Sequence, residues 1–202
     1  MKVKICGITT TDMAKTVEEA GADFIGFVFA PSKRQITAEV ASKITAQLTN
    51  DIKKVGVFVN ERKENICQIA ETVGLDYIQL HGDESPAFAD SLPYPIIKAF
   101  SIDDVNDETL KTYPCDYLLI DSPPSTYRGG SGTTFNWDML KKHKIPMEKL
   151  ILAGGLSIDN IQDAKTKVNP TVVDVSSGVE TAGAKDPEKI REFISLAKRT
   201  DK

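Results

Sequence analysis

Two side chains that can carry a proton stand at the ends of predicted strands, far apart in the chain. Cys6 follows the short apolar run 3–5 and precedes Gly7, and Asp121 follows the run 117–120. A thiol and a carboxyl group can act as general base and general acid when their surroundings tune their pKa values. The structural alternatives are a packed small residue for Cys6 and a turn-forming aspartate for Asp121. Taken alone, these residue types leave both roles open.

Two later segments contain the residues expected of a phosphate site. Gly154 and Gly155 lie in AGGLSIDN, and Ser176, Ser177 and Gly178 lie in VSSGVE. Glycine lets the backbone approach an anion closely, and N–H groups and hydroxyls donate hydrogen bonds to it. Either segment alone could be an ordinary turn. Because they follow the seventh and eighth predicted strands, we interpret them together as a phosphate-binding pair of loops.

Three other polar side chains have two interpretations each. Arg34 in APSKRQIT could bind a substrate carboxylate through its guanidinium fork, or it could be a solvated loop cation. Lys98 in IIKAF could point inward and form a Schiff base, or it could be a structural lysine. His81 ends the predicted fourth strand, where it either faces the site or packs against it, and we predict that it binds substrate.

The elements that must position these residues form a regular alternation. Eight apolar or β-branched runs begin about 19 to 33 residues apart, the length of one strand–helix unit. The strands are predicted at 3–5, 24–29, 55–59, 77–80, 96–100, 117–120, 150–153 and 172–175, and the helices at 12–20, 37–48, 61–73, 85–92, 103–112, 137–143, 158–167 and 186–198. This pattern predicts an α/β fold, a single-domain (β/α)8 TIM barrel over residues 1–202.

The barrel is preferred to a doubly wound sheet, which usually has five or six strands. No G-x-G-x-x-G follows the first predicted strand. In a barrel, all strands end at one mouth, so Cys6 and Asp121 would face each other across it. The long loops 30–37 and 121–136 would lie over that mouth. We predict that Gly129, Gly130 and Gly132 make the second loop a closing lid.

Composition excludes several classes of partner. A net charge of −4 and a pI near 5.3 argue against nucleic acid, although a local site could still bind a small phosphorylated substrate. The sequence has no apolar run of about 18–20 residues and no export signal at its N-terminus, so we expect no membrane association and a cytoplasmic location. Three widely spaced cysteines and two histidines argue against a zinc site.

The assembled motifs resemble the phosphoribosylanthranilate isomerase family. They are KICGIT, GFVF with S-x-R, GVFVN, QLHGDE, the strand-6 aspartate followed by GGSGTTFNW, LAGGL, and VDVSSGVE with GAKD. The resemblance runs from residue 2 to about residue 198, and the joint order of the motifs makes it specific. It implies an Amadori rearrangement in tryptophan biosynthesis, without metal or cofactor, that converts N-(5-phosphoribosyl)anthranilate to 1-(2-carboxyphenylamino)-1-deoxyribulose 5-phosphate.

The resemblance also implies roles for individual residues. Cys6 would be the general base, Asp121 the general acid, Arg34 the contact to the anthranilate, and Asp174 a contact to the sugar. The phosphate would bind to Gly154, Gly155, Ser176, Ser177 and Gly178. Because the loop reads S-K-R-Q, Lys33 is the alternative to Arg34. The chemistry requires positive charge near the thiol, which the substrate iminium could supply, and a raised pKa for the acid.

Two other functions stay open. A related phosphate-binding barrel, such as an indole-glycerol-phosphate synthase or an aldolase, would use Lys98. A barrel that only binds a sugar phosphate would leave Cys6 and Asp121 without a purpose. The patterns do not distinguish a monomer from a homodimer.

Overall fold

The chain folds as a closed barrel of eight parallel strands in sequence order, which confirms the predicted architecture. The structure is a computed structural model that describes residues 1–49, 51–123 and 134–199. The strands are β1 Lys2–Cys6, β2 Phe24–Val28, β3 Lys53–Phe58, β4 Tyr77–Leu80, β5 Ile96–Ser101, β6 Tyr117–Asp121, β7 Leu150–Leu152 and β8 Val172–Val175. The lid prediction at Gly129, Gly130 and Gly132 lies outside the described residues.

Seven α-helices in the described ranges surround the barrel. They are α1 Thr11–Glu19, α2 Ala38–Thr45, α3 Lys63–Val73, α4 Pro86–Asp90, α5 Asp107–Thr112, α6 Ile161–Lys167 and α7 Pro187–Lys198. Polar side chains cap five helix starts by accepting a hydrogen bond from a first-turn N–H group, as Ser, Thr, Asn and Asp commonly do. These caps are Thr10, Thr37, Ser85, Asn106 and Asp186.

The α-helix predicted at 137–143 is wrong, because a 3₁₀ helix, Trp137–Lys142, takes its place. Asn136 caps its start and His143 is already extended, and Pro146 follows three residues later. Short helical segments commonly adopt the tighter i→i+3 hydrogen-bonding pattern, and this one ends before the extended residue His143.

An aspartate before three of the strands connects each of them to its neighbour. Each carboxylate accepts a hydrogen bond from an N–H group at or near the start of the preceding strand. The pairs are Asp23 with Val3, Asp76 with Lys54, and Asp116 with Ile96, each at 2.8 Å. A repeated sequence feature, an acidic residue just before a strand, therefore fixes the register at the amino-terminal end of the barrel.

The apolar core has two zones, one between the barrel and the helices and one inside the barrel. The inner zone contains Phe24, Val55, Ile97, Ala99, Leu119, Ile151, Ala153 and Val172. At its base, the rings of Tyr77 and Tyr117 meet Phe24 at centroid distances of 5.8 and 6.0 Å. This filling makes the inside of the barrel a packed core and not a pore.

A small hairpin that the sequence patterns did not indicate follows β8. Its strands are β9 Glu180–Thr181 and β10 Ala184–Lys185, which pair antiparallel. Ala182 and Gly183 join them with φ values of 51° and 82°, the left-handed pair that suits a two-residue hairpin turn. The hairpin brings Glu180 and Lys185 to the mouth. No helix of the described ranges is long and apolar enough to cross a membrane.

Candidate active site

Four of the predicted site residues lie at the carboxyl ends of strands, each within one residue of the last strand residue. Cys6 ends β1, His81 follows β4, Asp121 ends β6, and Asp174 is the third residue of β8. Strand residues two apart share a face, so Lys4 and Cys6 both point away from the outward-packed Val3 and Ile5. The β1–β8 register places Lys4 opposite Asp174.

Cys6 is buried at the mouth, with 8% of its surface exposed. Gly26 is its partner on β2, and a Cβ atom there would lie only 2.8 Å from the Cys6 sulfur. Burial raises the pKa of the Cys6 thiol, and the positive charges of Lys4 and Lys185 oppose that rise. Asp174 acts in the same direction as burial. The expected positive charge near this thiol is therefore present in the protein itself.

Lys4 is fully buried and forms an ion pair with Asp174, its Nζ lying 3.0 Å from Oδ1. Burial disfavours the charged ammonium, but Asp174 and Cys6 outweigh that effect and raise the pKa of Lys4. A buried cation persists when such partners compensate for its lost hydration. Asp174, predicted to contact the sugar, thus also holds a lysine inside the barrel.

Asp121 and His81 lie together on the opposite part of the mouth. The Asp121 carboxylate is 8% exposed, and its Oδ2 lies 3.6 Å from His81 Nε2. On the inner side, His81 Nδ1 is 2.9 Å from the Gln79 amide nitrogen. With that amide as donor, Nδ1 accepts, and the His81 proton resides on Nε2, facing Asp121. His81 is thus a donor neighbour of one Asp121 oxygen, and the Ser122 N–H group donates to the other, Oδ1, at 2.7 Å.

Arg34 lies at the mouth beside Cys6, with its side chain packed over Gly7. Its Nε donates to Glu180 at 2.7 Å and one terminal nitrogen donates at 3.2 Å, so Glu180 holds two corners of the guanidinium fork. Lys33, the alternative, is largely exposed and lies 3.4 Å from the same carboxylate. Burial raises the pKa of Glu180, but Arg34 and Lys185 outweigh it and lower the pKa to about 2.

The loops after β7 and β8 touch through their backbones. A Cβ atom at Gly178 would overlap the carbonyl oxygen of Leu156, so only glycine allows this contact. Gly155 has a φ of 63°, and a short 3₁₀ helix, Ser177–Val179, begins beside it. The first N–H groups of a helix have no intrahelical acceptor and can bind an anion. The structure brings the predicted phosphate loops together.

Two of the predicted phosphate residues have structural partners. The Ser176 hydroxyl donates to the Cys6 carbonyl at 3.0 Å, and Lys185 donates to the Ser176 carbonyl at 2.7 Å. Gly154 has a φ of 80° and packs so closely that a Cβ atom would lie 3.1 Å from Asp121 Oδ1. Ser176 therefore connects the β8 loop to the backbone of Cys6, and Gly154 brings the β7 loop against the Asp121 side chain.

The hypothesis of an inward Lys98 is wrong. Ile97 and Ala99 belong to the inner core, so Lys98 between them points outward, toward the helices. Its Nζ lies 2.8 Å from Glu84 Oε2 and 2.6 Å from the Gly82 carbonyl oxygen. An ammonium held in this way is a structural lysine, because its charge and hydrogen-bonding capacity are already used.

A cleft of about 610 Å³ opens beside Asp121 and His81, between the loops after β4, β5 and β6. Phe100 and Tyr113 contribute aromatic surface to its lining, and Ser122 contributes a hydroxyl. Its lining does not include Cys6, Arg34 or the loops after β7 and β8, so the cleft forms one side of the mouth and not the whole predicted site. Within the described residues, no group of three or more Cys, His, Asp or Glu side chains could hold a metal ion.

The sequence interpretation missed three residues of this site: Lys4, Glu180 and Lys185. The spacing of Lys4 and Cys6, two residues apart in one strand, was a usable signal because it places both on one face. Glu180 and Lys185 were inside recognised motifs, but their positions depend on the hairpin after β8.

With this geometry described, similarity to known proteins identifies the family. The family model of N-(5'phosphoribosyl)anthranilate (PRA) isomerase matches residues 3–196. An N-(5'-phosphoribosyl)anthranilate isomerase from Oceanobacillus iheyensis is 53% identical over 202 residues, covering 100% of this chain and 98% of the relative. The Thermus thermophilus phosphoribosyl anthranilate isomerase structure is 35% identical, with a TM-score of 0.86 and coverage of 97% of this chain and 98% of that one. A phosphoribosyl anthranilate isomerase structure in complex with reduced 1-(o-carboxyphenylamino)-1-deoxyribulose 5-phosphate is 37% identical, with a TM-score of 0.83 and coverage of 98% of both chains. The chain belongs to the N-(5'-phosphoribosyl)anthranilate isomerase family.

Proposed function

We propose that the chain converts N-(5-phosphoribosyl)anthranilate to 1-(2-carboxyphenylamino)-1-deoxyribulose 5-phosphate, with Asp121 as general acid and Cys6 as general base. The observation that carries this proposal is the placement of both residues at one end of the barrel, next to the two glycine-containing loops, in a chain of this family. A proton donor and a proton acceptor at one mouth suit an aldose–ketose isomerisation.

The first step is opening of the sugar ring. Protonated Asp121 donates its proton to the furanose ring oxygen, the bond from that oxygen to C1 breaks, and the nitrogen lone pair forms the C1=N bond of an iminium. Asp121 is left as a carboxylate beside the His81 Nε2 proton. His81 therefore stabilises the charge that develops on the acid as it loses its proton.

The second step is proton removal from C2. The Cys6 thiolate takes this proton, the C2 electrons form a C1=C2 double bond, and the electrons of the C1=N bond return to nitrogen. The resulting enolamine tautomerises to the ketone by losing the hydroxyl proton and gaining one at C1. Nearby Lys4 and Lys185 favour the thiolate form of Cys6 before this step.

The two ends of the substrate would bind on either side of these residues. The phosphate binds at Gly154, Gly155, Ser177 and Gly178, whose loops are held in backbone contact, and Ser176 supports that cradle through Cys6 and Lys185. Arg34 offers its remaining terminal nitrogen to the anthranilate carboxylate while Glu180 fixes the fork. Asp174 presents its second oxygen to the sugar.

The test is a fluorescence assay in which anthranilate, phosphoribosyl pyrophosphate and the coupling transferase supply the substrate. We expect the protein to accelerate the loss of phosphoribosylanthranilate fluorescence, and Cys6→Ser and Asp121→Asn each to lower kcat by roughly 10²- to 10⁴-fold. Cys67→Ser, a thiol on α3, is the matched control and should leave kcat unchanged. Full turnover in Cys6→Ser or Asp121→Asn would contradict the assigned roles, and no acceleration by the parent protein would contradict the activity.

A further inference from the structure

Lys4, a buried cation close to the proposed base, neither gives up nor takes a proton in the two chemical steps. Lys4 lies two residues before Cys6 on the same face of β1, has no exposed surface, and is in register with Phe24 of the inner apolar zone. Burying an ammonium is costly, and an apolar side chain of similar size would fill this space at less cost. A role that needs the charge is therefore required.

We propose that Lys4 is a positioning residue that favours the thiolate form of Cys6, and that Asp174 weakens this effect by sharing the charge of Lys4. The importance of this control for turnover rests on the proposed role of Cys6 as general base. The effect on the thiol itself is independent of that role.

The contact passes over Gly26. A Cβ atom built at Gly26 would lie 2.8 Å from the Cys6 sulfur and 3.2 Å from Lys4 Nζ, so both atoms border the same small space on β2. Any side chain at this position would enter that space and separate the cation from the sulfur. Lys4 Nζ is also 3.0 Å from Asp174 Oδ1, so one ammonium lies between a carboxylate and a thiol.

The other charges around Cys6 are arranged so that Lys4 is the decisive one. Lys185 also favours the thiolate, but it donates hydrogen bonds to Ser176 and pairs with Glu180 at 3.0 Å. Arg34 is likewise paired with Glu180. Across the mouth, Asp121 faces His81. Lys4 differs in that its Nζ and the Cys6 sulfur border the same space at Gly26, so Lys4 and its partner Asp174 should move the titration midpoint of the thiol in opposite directions.

The experiment measures titration of the Cys6 thiol in a Cys67→Ser/Cys115→Ser background. Iodoacetamide alkylation of Cys6 is followed by peptide mass spectrometry as a function of pH, and thiolate ultraviolet absorbance gives an independent midpoint. Lys4→Met should raise the midpoint by more than one pH unit, which slows alkylation at neutral pH by at least about tenfold. Asp174→Asn should lower the midpoint. Lys2→Met, which removes an exposed lysine from the same strand, should leave it unchanged.

The thiol midpoint should shift in opposite directions in Lys4→Met and Asp174→Asn, which a purely structural role of Lys4 would not predict. If Lys4→Met left the midpoint at the parent value, or if Asp174→Asn raised it, the proposal would be overturned. If Lys4→Met fails to fold, two other variants test the proposal. Lys4→Arg should keep the parent midpoint, and Asp174→Asn should lower the midpoint. A midpoint that rises by one pH unit or more in Lys4→Arg would also overturn the proposal.

Activity distinguishes this inference from the proposed function. With Cys6 as base, the acidic limb of the pH profile of kcat/KM should shift to higher pH in Lys4→Met. In Lys4→Arg it should lie at the same pH as in the parent protein. If Cys6→Ser retained parent kcat while Lys4→Met still shifted the thiol midpoint, the role of Cys6 in turnover would be rejected and the control of its thiol by Lys4 would stand.

Discussion

Replacing Glu180 by glutamine should cost stability in a way that depends on pH. The Glu180 side chain is 6% exposed and accepts hydrogen bonds from Arg34 and Lys185. A pKa of about 2 against the usual 4.5 corresponds to at most roughly 3 kcal/mol of stabilisation near pH 7. Solvent screening at the rim of the mouth reduces this, so we expect Glu180→Gln to lose about 1–2 kcal/mol.

The direction of the pH dependence follows from the lowered pKa of Glu180 in the folded state. The stabilisation is fully present above the unfolded-state pKa near 4.5 and is lost as pH falls toward the folded-state value of about 2. The difference in free energy of unfolding between parent and Glu180→Gln should therefore be largest at pH 6–7 and fall by more than about half at pH 3.

The assay is urea denaturation followed by circular dichroism at several pH values between about 3 and 7, with equal m-values as the requirement for comparison. Glu188→Gln is the matched control, because Glu188 forms an exposed pair with Arg191 and should contribute less than about 0.5 kcal/mol at any pH. A difference between parent and Glu180→Gln that is independent of pH would refute the assignment of this stability to the charge of Glu180.

Three further changes test other parts of the site. Lys98→Met breaks the buried pair with Glu84 and should cost about 3–5 kcal/mol of stability, yet the folded fraction should keep its kcat; loss of kcat in folded protein would support Schiff-base chemistry instead. Gly178→Ala forces the loops apart at Leu156 and should raise KM by more than about tenfold while destabilising by about 1–3 kcal/mol, measured by steady-state kinetics and denaturation; parent KM would contradict a phosphate cradle here. Arg34→Lys replaces a fork by a point charge and should raise KM more than it lowers kcat; a change in kcat alone would contradict a binding role.

The barrel architecture could be predicted from the sequence because the strand–helix pattern repeats eight times. Eight apolar runs at regular spacing, with glycine and aspartate before several of them, define the strand–helix units and the end at which each strand stops. Cys6 and Asp121 follow from that, since the carboxyl ends of the strands share one mouth in a closed barrel. The α-helix predicted at 137–143 was wrong because helical periodicity over about two turns does not distinguish an α-helix from a 3₁₀ helix.

The face that each strand residue occupies was decided only by tertiary structure. In β5, both Ile96 and Ile97 are apolar, because the strand is buried on both sides, so the pattern carries no information about which face Lys98 takes. The folded barrel places Lys98 outside, against Glu84. Where alternation is visible, as in Lys2-Val3-Lys4-Ile5-Cys6, the sequence did determine the shared face of Lys4 and Cys6.

The electrostatics of the mouth depends on pairs that are distant in the chain. Arg34 and Glu180 are 146 residues apart, and Lys4 and Asp174 are 170 residues apart. Such pairs form only when the closing strand β8 meets β1 and the hairpin after β8 returns over the β2 loop. The sequence by itself determined which side chains reach the mouth, and closure of the barrel decided which of them share a charge.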